Sequence, residues 1–251
     1  MQLGFTSTSF RQIKDVSKIV RIARAAGADC IEWGGDVHVK DISGAYRVKA
    51  LCENAGIGIS SYGSYYRVGC GDTSEWENIC NIASAMNCGS VRVWLGNCDS
   101  EKTAAAQYEK LVEDAKRICG EAKKYSLKVC PECHDNTFNN NTDAFLKIAK
   151  DINEDNFRTY FQSRYRRLGY DLDRIERTMP YIESVHISYS EQTREQLLKQ
   201  NPLYIDKLLE KLTQCGFDGN ILVEYTYLFC WAGIPGSMIK DMEKIRKMSA
   251  R

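Results

Sequence analysis

Apolar residues recur along the chain at two alternating spacings. Helical spacing appears at Val16, Ile19, Val20 and Ala23, at Val48, Leu51, Cys52 and Ala55, and at Trp76, Ile79, Cys80 and Ala83. Gly27, Gly56 and Gly89 close these stripes, where a helix end favours a residue tolerant of positive φ. A short extended run follows each glycine, at 29–33, 58–62 and 90–94. The second half repeats the scheme. Stripes at Tyr108, Leu111, Val112, Ala115 and Ile118, at Phe145, Ile148, Ala149 and Ile152, and at Ile205, Leu208, Leu209 and Leu212 alternate with runs at 128–134, 158–163, 183–188 and 220–225. The run 3–6 supplies a first strand, and a closing helix is predicted over 238–248. The sixth unit is the weakest, with a short helix around Leu172, Ile175 and Met179.

Eight strand–helix units in 251 residues give about 31 residues each, the length of a βαβ step. Strict alternation makes the strands parallel, and eight of them close into a (β/α)8 TIM barrel with no free edge. The competing doubly wound sheet lacks its Gly-x-Gly-x-x-Gly after the first strand. Only four prolines occur and no linker-like stretch interrupts the pattern, so the α/β barrel is expected to be a single domain over residues 1–251.

In such barrels chemistry collects at the carboxyl ends of the strands. The polar residues ending apolar runs are Glu32, followed by Asp36 and His38; Glu132 and His134; Gln162; His186; and Glu224. All three histidines of the chain are in this set. Singly, Glu132 or Glu224 reads as the start of a solvated loop, His186 as a satisfied core histidine and His38 as a loop residue. Together, two carboxylates, an imidazole and an amide oxygen on four successive strands converge into a metal cage. Oxygen-rich ligation with one histidine suits Mn²⁺, Mg²⁺ or Co²⁺ better than structural zinc, although Zn²⁺ is admitted. Carboxylates on opposite walls can also serve as general base and acid.

Composition narrows the partners. Lysine plus arginine total 34 against 33 acidic residues, which leaves no excess positive charge to hold nucleic acid. No basic-then-apolar leader opens the sequence, and no run approaches the roughly eighteen apolar residues of a membrane span, so a cytoplasmic protein without membrane contact is expected. Eleven cysteines without framework spacing read as reduced thiols, and no disulfide is assigned. Cys130-Pro131-Glu132-Cys133 is formally a C-x-x-C, but it lies at a strand end without a second pair and is discounted.

Cys30-Ile31-Glu32-Trp33-Gly34-Gly35-Asp36-Val37-His38, Val129-Cys130-Pro131-Glu132-Cys133-His134, Ser184-Val185-His186-Ile187-Ser188 and Ile221-Leu222-Val223-Glu224-Tyr225 resemble the xylose isomerase-like barrel superfamily, the sugar phosphate isomerase/epimerase group. In its ketose 3-epimerases a divalent ion is held by Glu, Asp, His and Glu after strands five to eight. By that resemblance the ligands here are Glu132, Gln162, His186 and Glu224. Gln162 departs from the pattern, since its amide oxygen carries no charge. The resemblance further implies substrate contacts by His134 and Arg194, together with Glu32 and aromatic walls from Trp33, Tyr62, Trp94 and Phe138. It implies proton transfer next to a carbonyl of a sugar or sugar phosphate through an enediolate, with Glu132 and Glu224 exchanging the proton, and assembly as a homo-oligomer. Two alternatives stay open. Gln162 admits a sugar- or partner-binding barrel that has lost catalysis. An endonuclease IV-like nuclease is the other, but its several zinc ions need more histidines than this chain has.

Overall fold

Side chains alternate across a strand, so each strand of a closed sheet sends every second residue into the barrel and the rest towards the helices. The computed structural model describes residues 1–163, 167–189, 203–225 and 234–249. Its strands are β1 (Gln2–Thr6), β2 (Cys30–Gly34), β3 (Gly58–Val68), β4 (Ser90–Leu95), β5 (Lys128–Pro131), β6 (Thr159–Gln162), β7 (Ile182–Tyr189) and β8 (Asn220–Tyr225). Between and after them lie α1 (Val16–Ala25), α2 (Ile42–Ala55), α3 (Thr73–Ala85), α4 (Ala105–Lys123), α5 (Thr142–Ile152), α6 (Leu168–Thr178), α7 (Tyr204–Gln214) and α8 (Ile234–Ser249).

All ladder pairs are parallel, in the order β5-β4-β3-β2-β1-β8-β7-β6. The two ends of this sheet meet through parallel bridges, Val129 to Phe157 and Glu132 to Tyr160, and through the bond from the Arg158 N–H to the Val129 carbonyl at 2.9 Å. The eight strands therefore form a (β/α)8 barrel. No helix among the described residues is long and apolar enough to cross a membrane.

The helices bury most of the stripes read from the sequence, with Leu51, Ala55, Tyr108, Val112 and Leu172 only partly covered and Met179 beyond the end of α6. The buried stripe in α1 is Val16, Ile19, Val20 and Ala23, and in α7 Ile205, Leu208, Leu209 and Leu212. Asp15, Asp41, Asp72 and Asn141 start α1, α2, α3 and α5, each side chain accepting a bond from a first-turn N–H. Gly27 and Gly56 take the positive φ expected of them; after α3 that conformation falls instead on Asn87, two residues before Gly89. β3 runs six residues past its expected end. β5 ends at Pro131, with one further bond from the Glu132 N–H to the Val93 carbonyl at 2.9 Å, so His134 lies beyond the strand.

Inside the barrel, Cys30, Cys130, Tyr160 and Leu222 form a small buried cluster apart from the main core. They are the floor of the site. Two residues further along the same strands stand Glu32, Glu132, Gln162 and Glu224, placed above that floor by the period of two.

Candidate metal centre

Glu132, His186 and Glu224 each offer a ligand atom, and these atoms lie within 4.8 Å of one another. His186 Nδ1 is 3.2 Å from Glu132 Oε1 and 3.8 Å from Glu224 Oε2. The fourth expected ligand, Gln162, is in register with His186 between β6 and β7. Its Oε1 is buried and accepts no hydrogen bond. A buried amide oxygen without a donor is costly, and a cation is one partner that could satisfy it. The donor set of three carboxylate or amide oxygens and one imidazole nitrogen fits a divalent ion.

The layer also holds a cationic side chain that the sequence does not single out. Arg92 on β4 donates from Nε to Glu32 Oε1 at 3.2 Å and from Nη1 to Glu132 Oε2 at 2.5 Å. Gly63, opposite it on β3, leaves space for this guanidinium: a Cβ there would come within 2.7 Å of Arg92 Nη2. The signal was present in the sequence as an arginine between Val91 and Val93 in a strand covered on both faces. Trp94 Nε1 also donates to Glu132 Oε2, at 2.8 Å. Two donors thus hold one oxygen of Glu132, while the other faces His186 and the cage.

Glu32 is fully buried and has a supporting position instead of the substrate contact expected. It accepts from Ser61 Oγ at 3.0 Å, pairs with Arg92, and lies 3.5 Å from His186 Nε2, a charge contact without a hydrogen bond. Burial would raise its carboxyl, but Arg92 and His186 outweigh that and hold it at about 2. Glu132 behaves likewise: burial opposes ionisation, yet Arg92, His186 and Trp94 keep it well below the usual carboxylate range. Glu224 goes the other way. Burial, helped by Glu132, pushes its carboxyl up despite the pull of His186. Burial lowers His186, but the surrounding carboxylates, Glu32 foremost, raise it to about 10 when no ion is bound.

At the rim, the Trp94 ring meets the edge of Tyr65 at 5.2 Å and the exposed His134 ring at 5.5 Å. Two of the other three expected walls do not face the barrel. Trp33 and Tyr62 follow the inward residues Glu32 and Ser61, so the strand alternation turns them into the layer between sheet and helices. There Trp33 is wholly buried beside His38, and Tyr62 donates to the Val39 carbonyl. Phe138 packs on Tyr108 of α4. His38 takes the loop role: Nδ1 is bonded to Ser7 Oγ and Nε2 to the Ile13 carbonyl. Arg194 lies outside the described residues.

Solved structures with this fold include a D-allulose 3-epimerase from Methylomonas sp. in complex with D-allulose (TM-score 0.79, 14% identity, 99% of this chain and 97% of that chain). A second is the probable 3-DHS dehydratase AsbF from Bacillus anthracis (0.78, 14%, 98% and 99%). A third is a D-psicose 3-epimerase with D-tagatose from Clostridium cellulolyticum (0.77, 13%, 100% and 98%). At these identities the likeness is one of fold. No curated protein matches the sequence. The family profile described as xylose isomerase-like TIM barrel matches residues 20–248, nearly the whole barrel, and the chain belongs to that family.

Proposed function

We propose that this protein is a divalent-metal-dependent isomerase or epimerase of a sugar or sugar phosphate, working by proton transfer next to a carbonyl. One observation carries the reading: Glu132, His186 and Glu224 converge within 4.8 Å, and Gln162, in register with His186, carries a buried oxygen without a donor. These four residues would hold the ion, with Mn²⁺, Mg²⁺ or Co²⁺ favoured by the oxygen-rich set and Zn²⁺ admitted. When bound, it would polarise the substrate carbonyl and the adjacent hydroxyl.

The chain's own groups supply the proton transfers. Glu132, held in place through Oε2 by Arg92 and Trp94, stays ionised and would take the carbon-bound proton. Glu224, on the opposite wall, would return the proton. Delivery to the same carbon from the opposite face gives an epimer; delivery to the neighbouring carbon gives an isomer. Trp94 shields the pair from water on the rim side.

A dehydration begins with the same proton abstraction and is the second reading. It is favoured by His134, exposed at the rim beside Trp94, where it can protonate a departing hydroxyl. A DNA-cleaving site with several zinc ions is disfavoured, since His186 is the one histidine of the metal layer. Free cysteines at all ten described positions suit a reducing, cytoplasmic setting.

The decisive experiment is exchange of substrate carbon-bound hydrogen in deuterated water, screened over ketoses and their phosphates, with metal analysis of the same protein. We expect exchange in the wild type, and loss of both exchange and bound metal in Glu132→Gln and His186→Ala. Loss of water from the substrate alongside exchange would select the dehydratase reading. Bound metal with no exchange on any substrate would leave only the binding-barrel alternative raised by Gln162.

A further inference from the structure

We propose that Arg67, seated on the Trp94 indole, forms an oxyanion subsite at the rim of the barrel. The substrate would then be anionic, with a carboxylate or phosphate a few bonds from the carbonyl offered to Glu132 and Glu224. The inference rests on the reading above and names a substrate class for it.

Arg67 is in register with Trp94 at the carboxyl ends of β3 and β4, so both side chains stand at the mouth. The guanidinium carbon lies 4.4 Å from the centroid of the Trp94 ring, whose Nε1 donates to the Glu132 carboxylate. A single indole therefore separates Arg67 from the base. Nη1 donates to the Gly96 carbonyl at 2.7 Å. That bond and the stack fix the plane of the guanidinium. The indole is itself fixed, by the Tyr65 edge and the His134 ring. An arginine oriented in this way can offer Nε and Nη2 as a ready fork for a carboxylate or phosphate.

Charge makes the same argument. Glu32, Glu132 and Glu224 face Arg92, which leaves two negative charges for a divalent ion to cancel. Arg11, the nearby rim arginine that reaches Tyr65, is already matched by Asp36. Arg67 alone among these has no carboxylate partner among the described residues, although it is only partly exposed. A half-buried cation without a counterion is a stability cost that a charged substrate removes.

The test is calorimetric titration of the Mn²⁺-supplemented protein with D-fructose, D-fructose 6-phosphate and 2-keto-D-gluconate, on wild type, Arg67→Gln and Arg67→Lys. We expect the two charged ligands to bind about ten- to a hundredfold more tightly than fructose in the wild type, and whichever gains more identifies phosphate or carboxylate as the group recognised. Arg67→Gln should erase the difference, and Arg67→Lys should keep part of it, since it retains the charge but not the fork. Equal affinities, no measurable binding of either charged ligand, or a preference that survives Arg67→Gln would overturn the proposal. Electron paramagnetic resonance of Mn²⁺ in the same samples keeps the two readings apart. Bound ion without a charge preference defeats the subsite alone. An ion that fails to bind, with an Arg67-dependent preference intact, defeats the metal reading and leaves the subsite standing.

Discussion

A guanidinium enclosed by protein persists only when its charge and donors are met at once, and Arg92 meets that condition with two glutamates that are themselves enclosed. Removing it takes from both buried carboxylates the arginine charge they share, leaving Glu32 with Ser61 and His186 and Glu132 with Trp94 and His186. Arg92→Met should therefore cost about 3–5 kcal/mol in urea unfolding. Adding Glu32→Gln to Arg92→Met should recover part of that loss, because the second change removes one stranded charge; simple addition of the two single costs would contradict the coupling. His38 gives a prediction in pH. Burial, only partly offset by its bond to the Ile13 carbonyl, holds its imidazole down from the ordinary 6.5 to about 4. Above 6.5 it is neutral whether folded or unfolded. As pH falls from 6.5 to 4 the unfolded chain takes up a proton that the native loop refuses, so stability declines across that window. The decline should be shallower in His38→Gln, measured as unfolding midpoints against pH. Parallel profiles for the two proteins would refute the assignment.

At the scale of elements, the informative piece is the upper half of β3. Between Gly63 and Arg67 four steps along β3 oppose two along β4, from Arg92 to Trp94, so β3 bulges. Tyr65 sits in the bulge at φ 63°, its ring against Trp94 and under the guanidinium of Arg92. A tyrosine in the left-handed region stores about 1–3 kcal/mol, which the surrounding contacts must hold in place. Asp114 of α4 is the outer clamp: it accepts from the Gly69 N–H at 2.7 Å and from the Tyr66 hydroxyl at 3.2 Å. Asp114→Ala should cost about 1–3 kcal/mol and should speed amide exchange at Gly69 and along 64–68 more than along β8. Uniform acceleration would mean that the clamp is merely global. This bulge also marks the limit of what the sequence discloses. Strands and helices were legible because periods of two and 3.6 are hard to confuse over whole units. Gly63-Ser64-Tyr65-Tyr66-Arg67 follows neither period, so β3 was expected to end at 62. Glu132, His186 and Glu224 stood out as polar residues closing apolar runs. Arg92 did not, because it lies within its run. Trp33 and Tyr62 stand near strand ends, but their parity on β2 and β3 turns them towards the helices, and nearness to a strand end does not disclose parity.

For the whole molecule, what matters is where the metal layer lies relative to the closure of the barrel. β5 and β6 are the two ends of the hydrogen-bonded sheet, both only four residues long, and they are joined by isolated bridges instead of a continuous ladder. Of the proposed ligands, Glu132 follows β5, whereas Gln162, His186 and Glu224 belong to β6, β7 and β8. An ion held by all four would tie one end of the sheet to the other across its weakest seam. Local opening there must break the coordination, while opening elsewhere need not. Mn²⁺ at a hundredfold excess over its dissociation constant adds about 2.7 kcal/mol, which raises the melting temperature of a chain this size by about 5–10 °C. The distribution of that gain is the sharper prediction. Amide exchange at Val129 and Arg158, whose N–H groups bond across the seam, should slow on adding Mn²⁺ more than exchange at β1–β3 amides of similar initial protection. His186→Ala should abolish both the thermal shift and the seam-specific slowing. If exchange slows equally around the barrel while the melting temperature rises, the ion binds without bridging the seam, and the four-strand cage is wrong even though metal binding is real.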